Sequence, residues 1–540
     1  MKSVETHLAE LPLEKNVQSS IDRTIFLPSV ILVLLAGTYL VVAPESAAET
    51  TSKLMAFITG QFGWLFVLTG ASGFCFAMWL AFGRYAQVKL GLPSDTPEFS
   101  EISWAAMMFS AGIGIGLVSW AFVEPVYYLS TPPMGIEPHS SEAMEWAHMY
   151  GQFHWSFIPW SLYAIAAVPV AYMLYVKERP TLRISAACEG VLTTEKRRRL
   201  NPVIDTLVII GLIGGAGTSL GLGVPLVSAF VSSLMGVPDT LLTRLAVLAF
   251  WTLIFGTSVY RGLNKGIRIL SDINIILAVL ILLFILVVGP TVFILTLSAN
   301  SLGLMLNNFV YMSFWLDPIE ARGFPEAWTL FYWAWWISYA PMMGLFFGRI
   351  SRGRTIRQLV LGVICWGSLG CCSFLAICGG YALALEMNDT VQVVSILQES
   401  GIPGTVVAIV NQMPWGGFMI ALYTVLSFIF LATTLDSAAY VLASISTKDL
   451  PGDQEPGKAN RMVWAFSLAF IAVGLLMVGG LKAVQSTTII TALPLIPVLL
   501  LLVLSLLRWL KEDFGDAVAK PVLSIEYHED GSATVSKQSS

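Results

Sequence analysis

Long apolar segments with almost no charge divide this chain, and this pattern restricts its fold more than any motif does. Hydrophobic residues make up 56% of the 540 and charged residues 12%, whereas soluble chains carry about 25% charge. A helix that crosses a bilayer needs roughly 20 mostly apolar residues. About twelve such segments can be placed, at 24–43, 61–82, 104–129, 149–176, 204–235, 240–260, 269–298, 327–348, 358–385, 414–446, 462–479 and 485–507. Because lipid offers no hydrogen-bond partners to the backbone, they predict an all-α membrane protein with about 12 transmembrane helices.

The basic residues predict the orientation of these helices. If the N-terminus is cytoplasmic and twelve segments span, 26 of the 30 Lys and Arg lie in inside loops and tails. Only four lie outside, namely Lys53, Arg244, Arg322 and Lys482. Cytoplasmic loops of membrane proteins are enriched in Lys and Arg. We therefore expect a multi-pass protein of the cytoplasmic membrane with both termini in the cytoplasm.

One apolar segment contains glycines that do not suit a helix. In "SAGIGIGLVSW", Gly112, Gly114 and Gly116 alternate with other residues, at roughly 3 kcal/mol of lost helix propensity. Close packing of two helices through GxxxG would use Gly112 and Gly116 but leaves Gly114 unexplained. We favour an unwound hinge instead, because broken helices line the substrate sites of secondary transporters.

A second interruption is expected at Pro341, inside the segment 327–348. If the two interrupted segments each begin one half of an inverted repeat, the chain has two related five-helix halves. The expected organisation is a cytoplasmic N-terminal tail (1–23), two peripheral helices (24–82), a first repeat (104–298), a connecting segment (299–326), a second repeat (327–507) and a cytoplasmic C-terminal tail (508–540).

Aromatic residues are concentrated in two of the apolar segments. "FYWAWWISYAPMMG" presents four rings within an arc of about 100° on one helix face, namely Tyr332, Trp335, Trp336 and Tyr339. "FHWSFIPWSLY" supplies Trp155, Trp160 and Tyr163. A quaternary ammonium ion has no N–H to donate, but ring faces attract its charge by about 2 kcal/mol when desolvated. Aromatic core packing is the alternative; two clusters together with a glycine break favour an onium-binding site.

These stretches resemble the betaine/choline/carnitine transporter family. The resemblance extends over essentially the whole membrane part and includes "AGIGIGLVSWAFVEPVYY", "GGAGTSLGLG" and "TTLDSAAYVLASIS". It implies a LeuT-type core of five plus five inverted helices preceded by two extra helices, commonly assembled as homotrimers. It also implies that the substrate is surrounded by Trp155, Trp335, Trp336 and Tyr339, with Tyr127 as a further wall, and that Trp160 and Tyr163 line the approach from outside.

Two features of the resemblance point to different branches of that family. Tyr339 resembles the carnitine/γ-butyrobetaine antiporters, whereas many betaine symporters have Trp at this position. The glycine run at 112–116 departs from those antiporters. Carnitine, choline and glycine betaine all present a bulky onium to the same rings, so the substrate stays open. A carboxylate on the substrate would be bound by Ser338 or by the amides of Gly112–Gly116.

The driving force of transport has two alternatives. Sodium-coupled relatives use hydroxyls at the positions of Thr433 and Thr434, and both are present. Arg268 resembles the arginine that fills this site in sodium-independent members, and Met343 resembles a thioether of the antiporters. Arg268 alternatively pairs with Asp272, four residues later on the same helix. We expect sodium-independent exchange or proton-coupled uptake, with sodium symport through the two threonines as the alternative.

Other classes of function are disfavoured. The sequence contains no HExxH and no metal-ligand spacing, so an intramembrane enzyme is a remote alternative. We expect no cofactor, no resident metal and no nucleic acid partner, and membrane lipid around the helices. Glu124, in "FVEPVYY", either steers cations or is structural.

Overall fold

A computed structural model describes most of the chain. The described residues are 20–179, 181–261, 264–448, 450, 454–515, 522–527 and 533–538. Within the helices, side chains are not described at 255 and 258–271. The described part is almost entirely α-helical, with one short hairpin near the C-terminus.

The helices follow one another with short connections. The first ten are α1 (Arg23–Val42), α2 (Pro44–Phe82), α3 (Glu101–Ala111), α4 (Ile115–Ser130), α5 (Ser141–His154), α6 (Phe157–Tyr175), α7 (Ile184–Ala187), α8 (Thr194–Met235), α9 (Leu241–Arg261) and α10 (Asn264–Val288). The others are α11 (Thr291–Phe314), α12 (Leu330–Arg349), α13 (Ile356–Met387), α14 (Val393–Asn411), α15 (Gly416–Ile445), α16 (Lys458–Val478), α17 (Gly480–Ala492) and α18 (Leu495–Phe514). The hairpin pairs β1 (Val522–Tyr527) with β2 (Ala533–Gln538) in antiparallel register.

The helices confirm the prediction of an all-α membrane protein. Within the described ranges, nine helical stretches are long and apolar enough to cross a bilayer, or up to eleven if each of two bent helix pairs is one span. One bent pair is α3 with α4, and the other is α17 with α18. The aromatic helix α12 is not in this count, although it has 20 residues. The number of twelve spans and the inverted repeat remain predictions.

Two helices lie where the sequence pattern gave no separate apolar segment. The predicted segment 269–298 is divided, because α10 ends at Val288 and α11 begins at Thr291, after Gly289 and Pro290. Proline has no N–H for the helical ladder, and its ring disfavours helical backbone in the preceding residue. α11 continues into the expected connecting segment 299–326, and α14 lies between two predicted spans.

The expected interruption at Pro341 is wrong. α12 runs continuously from Leu330 to Arg349, and the irregularity lies before it, in a π-helical turn at Pro325–Thr329. Membrane helices tolerate an internal proline where neighbouring groups and local adjustments satisfy the freed backbone. Here α12 packs along α6 over much of its length.

Close packing of α12 against α6 fixes the aromatic residues in place. A Cβ added at Gly344 would lie 2.9 Å from the Cβ of Ala166 on α6. The two backbones can approach this closely only because position 344 has no side chain. The tryptophans two to three turns earlier on α12 are thereby held against the end of α5.

An N-terminal strap, residues 20–22, crosses the C-terminal end of α15. The amide of Asp22 donates to the carbonyl of Ser446 at 2.9 Å, and Arg183 donates to the carboxylate of Asp22 at 2.9 Å and to the carbonyl of Thr447 at 2.8 Å. Burial acts to raise the pKa of Asp22, but the hydrogen bonds from Thr24 and the charge of Arg183 outweigh it and lower that pKa below its usual value. The strap thus joins three separate parts of the chain by a charged link.

Candidate functional site

The glycine-rich segment is broken in the structure. α3 ends at Ala111, α4 begins at Ile115, and their axes differ by 60°. A Cβ added at Gly114 would meet no atom within 4 Å, so this residue faces open space. The first turn of α4 leaves backbone N–H groups without partners within the helix. The break therefore leaves backbone amides at the start of α4 available beside open space, whereas hinge motion at these glycines remains a prediction.

Three indoles from two helices form the aromatic box, defined here as Trp155, Trp335 and Trp336. Trp155 follows the last residue of α5, and its ring centroid lies 4.9 Å from Trp336 at 84° and 5.8 Å from Trp335 at 80°. Trp335 and Trp336 are stacked at 5.9 Å. All three are more than nine-tenths buried. The box offers ring faces and edges that are shielded from solvent.

A cavity of about 520 Å³ adjoins the aromatic box. Its walls include most of the predicted site residues, namely Gly112, Gly114, Gly116, Trp155, Trp160, Tyr163, Trp335, Trp336, Tyr339, Met343, Thr433 and Thr434. Its volume suits a small organic ion. The structure thus brings together residues from four helices, from the break and from the end of α5.

Tyr127 lies apart from these residues. It is not among the residues that line the cavity, and its ring packs against Trp328 at 5.1 Å and Trp120 at 6.4 Å. Its neighbours are therefore aromatic side chains beside the cavity. The structure gives Tyr127 no contact with the space that a substrate would occupy.

Trp160 and Tyr163 extend the aromatic surface along α6. Their rings are 5.4 Å apart, and Tyr163 lies 5.7 Å from Trp336. The indole N–H of Trp160 donates to the carbonyl of Trp155 at 3.1 Å. Both residues line the same cavity as the aromatic box. Their role in an approach from outside remains a prediction.

Tyr339 lines the same cavity from α12. Its hydroxyl shares a hydrogen bond of 2.9 Å with Ser219 on α8. Its ring lies close to Gly215, where an added Cβ would approach ring carbons to 3.1 Å. α8 therefore holds the orientation of this ring through both packing and a polar contact.

Glu124 supports the aromatic box through hydrogen bonds. The sequence left the role of this residue open. Its carboxyl group is completely buried and accepts from the indole N–H of Trp155 at 2.9 Å, from Tyr332 at 2.8 Å and from Tyr128 at 2.7 Å. His154 lies 3.4 Å from the same group. These contacts support a structural role. An acidic residue within an apolar segment, beside two tyrosines in "EPVYY", was the available signal.

Two of the predicted coupling residues face the cavity from α15. Thr433 and Thr434 line it, and the hydroxyl of Thr433 also donates to the carbonyl of Phe430 at 3.1 Å. Ser110 and Ile113, at the end of α3 and in the break, line the same space. Hydroxyl and carbonyl oxygens are the ligands that hard cations prefer.

Of the other two predicted coupling residues, the structure describes the side chain of Met343 but not that of Arg268. Met343 on α12 lines the cavity. Arg268 belongs to α10, but its side chain lies outside the described residues. The proposed replacement of a sodium ion by a guanidinium therefore remains a prediction.

Known proteins resemble the chain over nearly its whole length. The family described as BCCT, betaine/carnitine/choline family transporter, matches residues 24–515. The glycine betaine transporter OpuD of Bacillus subtilis (strain 168) is 36% identical over 476 residues, which cover 88% of this chain and 91% of OpuD.

Proposed function

Because this chain belongs to the betaine/carnitine/choline family of transporters, we propose that it carries a small zwitterionic quaternary-ammonium compound, of which glycine betaine is the first candidate. The similar protein OpuD is named as a glycine betaine transporter. The observation that carries the proposal is the aromatic box at one end of a cavity of about 520 Å³. The proposal concerns transport, since a transporter family and not an enzyme family matches the chain.

The aromatic box suits an onium group better than a primary ammonium. A trimethylammonium group spreads its charge over methyl groups that cannot donate strong hydrogen bonds. Indole faces attract such a charge through their quadrupole, by about 2 kcal/mol or more when water is excluded. The carboxyl group of Glu124 accepts hydrogen bonds from Trp155 and Tyr332. It therefore holds these rings in position and is already engaged by protein donors.

Donors for a substrate carboxylate are available beside the rings. The indole N–H of Trp335 is buried and has no partner among the described residues. The first residues of α4, at the break, line the same cavity, and the N-terminus of this helix carries the positive end of the helix dipole. Ser338 fits this role less well, because it is completely buried, does not line the cavity and packs near Gly215. We therefore assign the carboxylate to Trp335 and the break.

The described residues support sodium coupling more directly than they support exchange. Thr433 and Thr434 line the same cavity as Ser110 and Ile113, and hydroxyl and carbonyl oxygens are the ligands that a co-transported sodium ion would use. Sodium-independent transport depends on Arg268, whose side chain lies outside the described residues. Replacement of Arg268 by Glu tests this alternative, because it should abolish sodium-independent transport and allow Na⁺ to restore it.

The proposal is tested by uptake into proteoliposomes. Labelled glycine betaine, carnitine and choline are each supplied with an inward sodium gradient, with a proton gradient, and with unlabelled substrate preloaded inside. Uptake that needs inward sodium supports symport through Thr433 and Thr434, and uptake that needs only preloading supports exchange. Absence of uptake for all three compounds under every condition would refute the proposal.

The aromatic box is tested with Trp155→Leu. A loss of about 2 kcal/mol in cation–π attraction corresponds to roughly a 30-fold rise in the half-saturation concentration. The matched control is Trp64→Leu, since Trp64 on α2 is 53% exposed and lies on the outer surface. An analogue with a neutral tert-butyl group in place of trimethylammonium should compete weakly with wild type. If wild type bound both equally well, the attraction would not be electrostatic.

A further inference from the structure

The cavity does not end at the aromatic box. It continues to a mouth that is lined by the C-terminal parts of α12 and α15, including Arg349 on α12 and Asp436, Tyr440 and Ser444 on α15. This is the end of α15 that the N-terminal strap crosses. A substrate that leaves the box in this direction meets an arginine contributed by α12 and an acidic, aromatic surface contributed by α15.

The negative charge of Asp436 at the mouth is partly neutralised by an ion pair. One carboxylate oxygen accepts from Arg461 on α16 at 3.0 Å, and the Arg461 side chain is almost completely buried. The Arg461 guanidinium also lies 5.6 Å from the ring centre of Tyr440. Arg461 therefore stands behind both residues and partly neutralises the carboxylate, while the other oxygen of Asp436 has no hydrogen bond to described residues.

Arg349 provides the opposite charge. It is the last residue of α12 and is exposed, and its main-chain carbonyl accepts from the hydroxyl of Tyr175 at 2.6 Å. Its guanidinium forms no ion pair with the residues that the structure describes. A cation without a carboxylate partner is thus directed to a cavity through which a zwitterion would pass.

We propose that the mouth is a second binding site for the zwitterionic substrate, with the onium group against Asp436 and Tyr440 and the carboxylate toward Arg349. This inference rests on the proposed function, since it assumes a substrate with both charges. Arg349 supplies a positive charge for the carboxylate of such a molecule, Asp436 supplies a negative charge for its onium group, and Tyr440 adds a ring face. Because the site is open to solvent and Asp436 is already paired, binding is weak. Weak binding suits a site from which substrate is released.

The test separates the two faces of the membrane. Half-saturation concentrations for glycine betaine and choline are measured in right-side-out and inside-out vesicles for wild type and Arg349→Gln. An exposed charge pair contributes about 0.2–1 kcal/mol, so the variant should raise the value for glycine betaine by about one and a half- to fivefold, on the mouth side only. Choline has no carboxylate, so its value should not change. The mouth faces the cytoplasm if the predicted orientation holds.

The matched control is Arg352→Gln. Arg352 lies three residues later, is also exposed, pairs with Asp95 at 3.3 Å and does not line the cavity. Arg352→Gln should leave the half-saturation concentrations of both compounds unchanged on both sides of the membrane. Equal changes for both variants, or equal changes for glycine betaine and choline, would overturn the proposal.

A second pair of variants tests the onium side without disturbing the buried Arg461. Tyr440→Leu should raise the mouth-side value for both glycine betaine and choline by about two- to fivefold, as expected for an exposed cation–π contact of about 0.5–1 kcal/mol. Tyr440→Phe keeps the ring and should behave as wild type. If Tyr440→Leu has no effect, the onium side of the site is refuted.

Failure of this inference and failure of the proposed function give different results. If wild type transports none of glycine betaine, carnitine and choline, the proposed function fails. If wild type transports glycine betaine but Arg349→Gln leaves the mouth-side value unchanged, only the second site is refuted.

Discussion

Replacement of Glu124 tests whether the aromatic box depends on a buried carboxyl group. Glu124→Ala removes the acceptor for three donors at 2.7 to 2.9 Å, namely Tyr128, Tyr332 and Trp155. Glu124→Gln keeps the shape and one carbonyl oxygen. If that oxygen takes the place of Oε2, it accepts from Trp155 and Tyr332, and the new amide can donate to the hydroxyl of Tyr128.

The magnitudes follow from the number of donors left without partners. A buried donor without its acceptor costs about 1–3 kcal/mol. Tyr128 can still bond to Nδ1 of His154, which lies 2.9 Å from its hydroxyl. The two remaining donors, Trp155 and Tyr332, give about 2–6 kcal/mol for Glu124→Ala, and entry of a water molecule into the space lowers this figure. In Glu124→Gln the same donors keep partners, so the loss is about 1–3 kcal/mol, since hydrogen bonds to a neutral group are weaker.

The assay combines thermal unfolding in detergent with uptake of glycine betaine. Glu124→Ala should unfold at a clearly lower temperature and lose substrate affinity, because Trp155 is no longer held against Trp336. Glu124→Gln should retain most of both properties. Glu142→Ala is the control, since Glu142 is an exposed residue in the first turn of α5. Wild-type stability in Glu124→Ala would show that the network does not hold the box, and equal damage in both variants would show that charge, not hydrogen bonding, is decisive.

Two further predictions concern the break and the strap. Gly116→Ala should raise the half-saturation concentration at least several-fold, because the added Cβ would lie 2.9 Å from the Trp335 ring and overpacking costs about 1–3 kcal/mol. Gly303→Ala, where no atom lies within 4 Å of the added Cβ, should leave uptake unchanged, and equal effects would contradict the steric argument. Because the pKa of Asp22 is lowered in the folded protein, its ion pair with Arg183 stabilises the fold above about pH 4 and is lost as the pH falls below that value. Asp22→Asn should therefore unfold at a lower temperature than wild type at pH 7 and more nearly equally at pH 3, and a constant difference across this range would refute the assignment.

Much of the candidate site could be predicted because its residues obey local rules. The helical period places Trp335, Trp336 and Tyr339 near one another on α12 before any tertiary contact is known. The run of alternating glycines predicts a break, since no single helix face accounts for Gly114. Long apolar segments predict membrane helices from length alone.

Local rules failed where a neighbouring element decided the outcome. Pro341 does not interrupt α12, because packing against α6 supports the helix around it. Tyr127, which the family resemblance implied as a wall of the substrate site, shares α4 with the break but packs against Trp328. The direction of its ring depends on an element 200 residues later, and no periodicity within α4 contains that information.

The sequence by itself determined that this chain forms membrane helices, that one of them is broken at glycines, and that rings from two segments are available for an onium ion. These properties follow from hydropathy, propensity and helical period, which act within about twenty residues. Only the tertiary structure decided which rings meet, that Glu124 holds Trp155 and Tyr332 together, and that Arg349 and Asp436 line one cavity. Such contacts join distant parts of the chain, and their geometry is set by how whole helices pack.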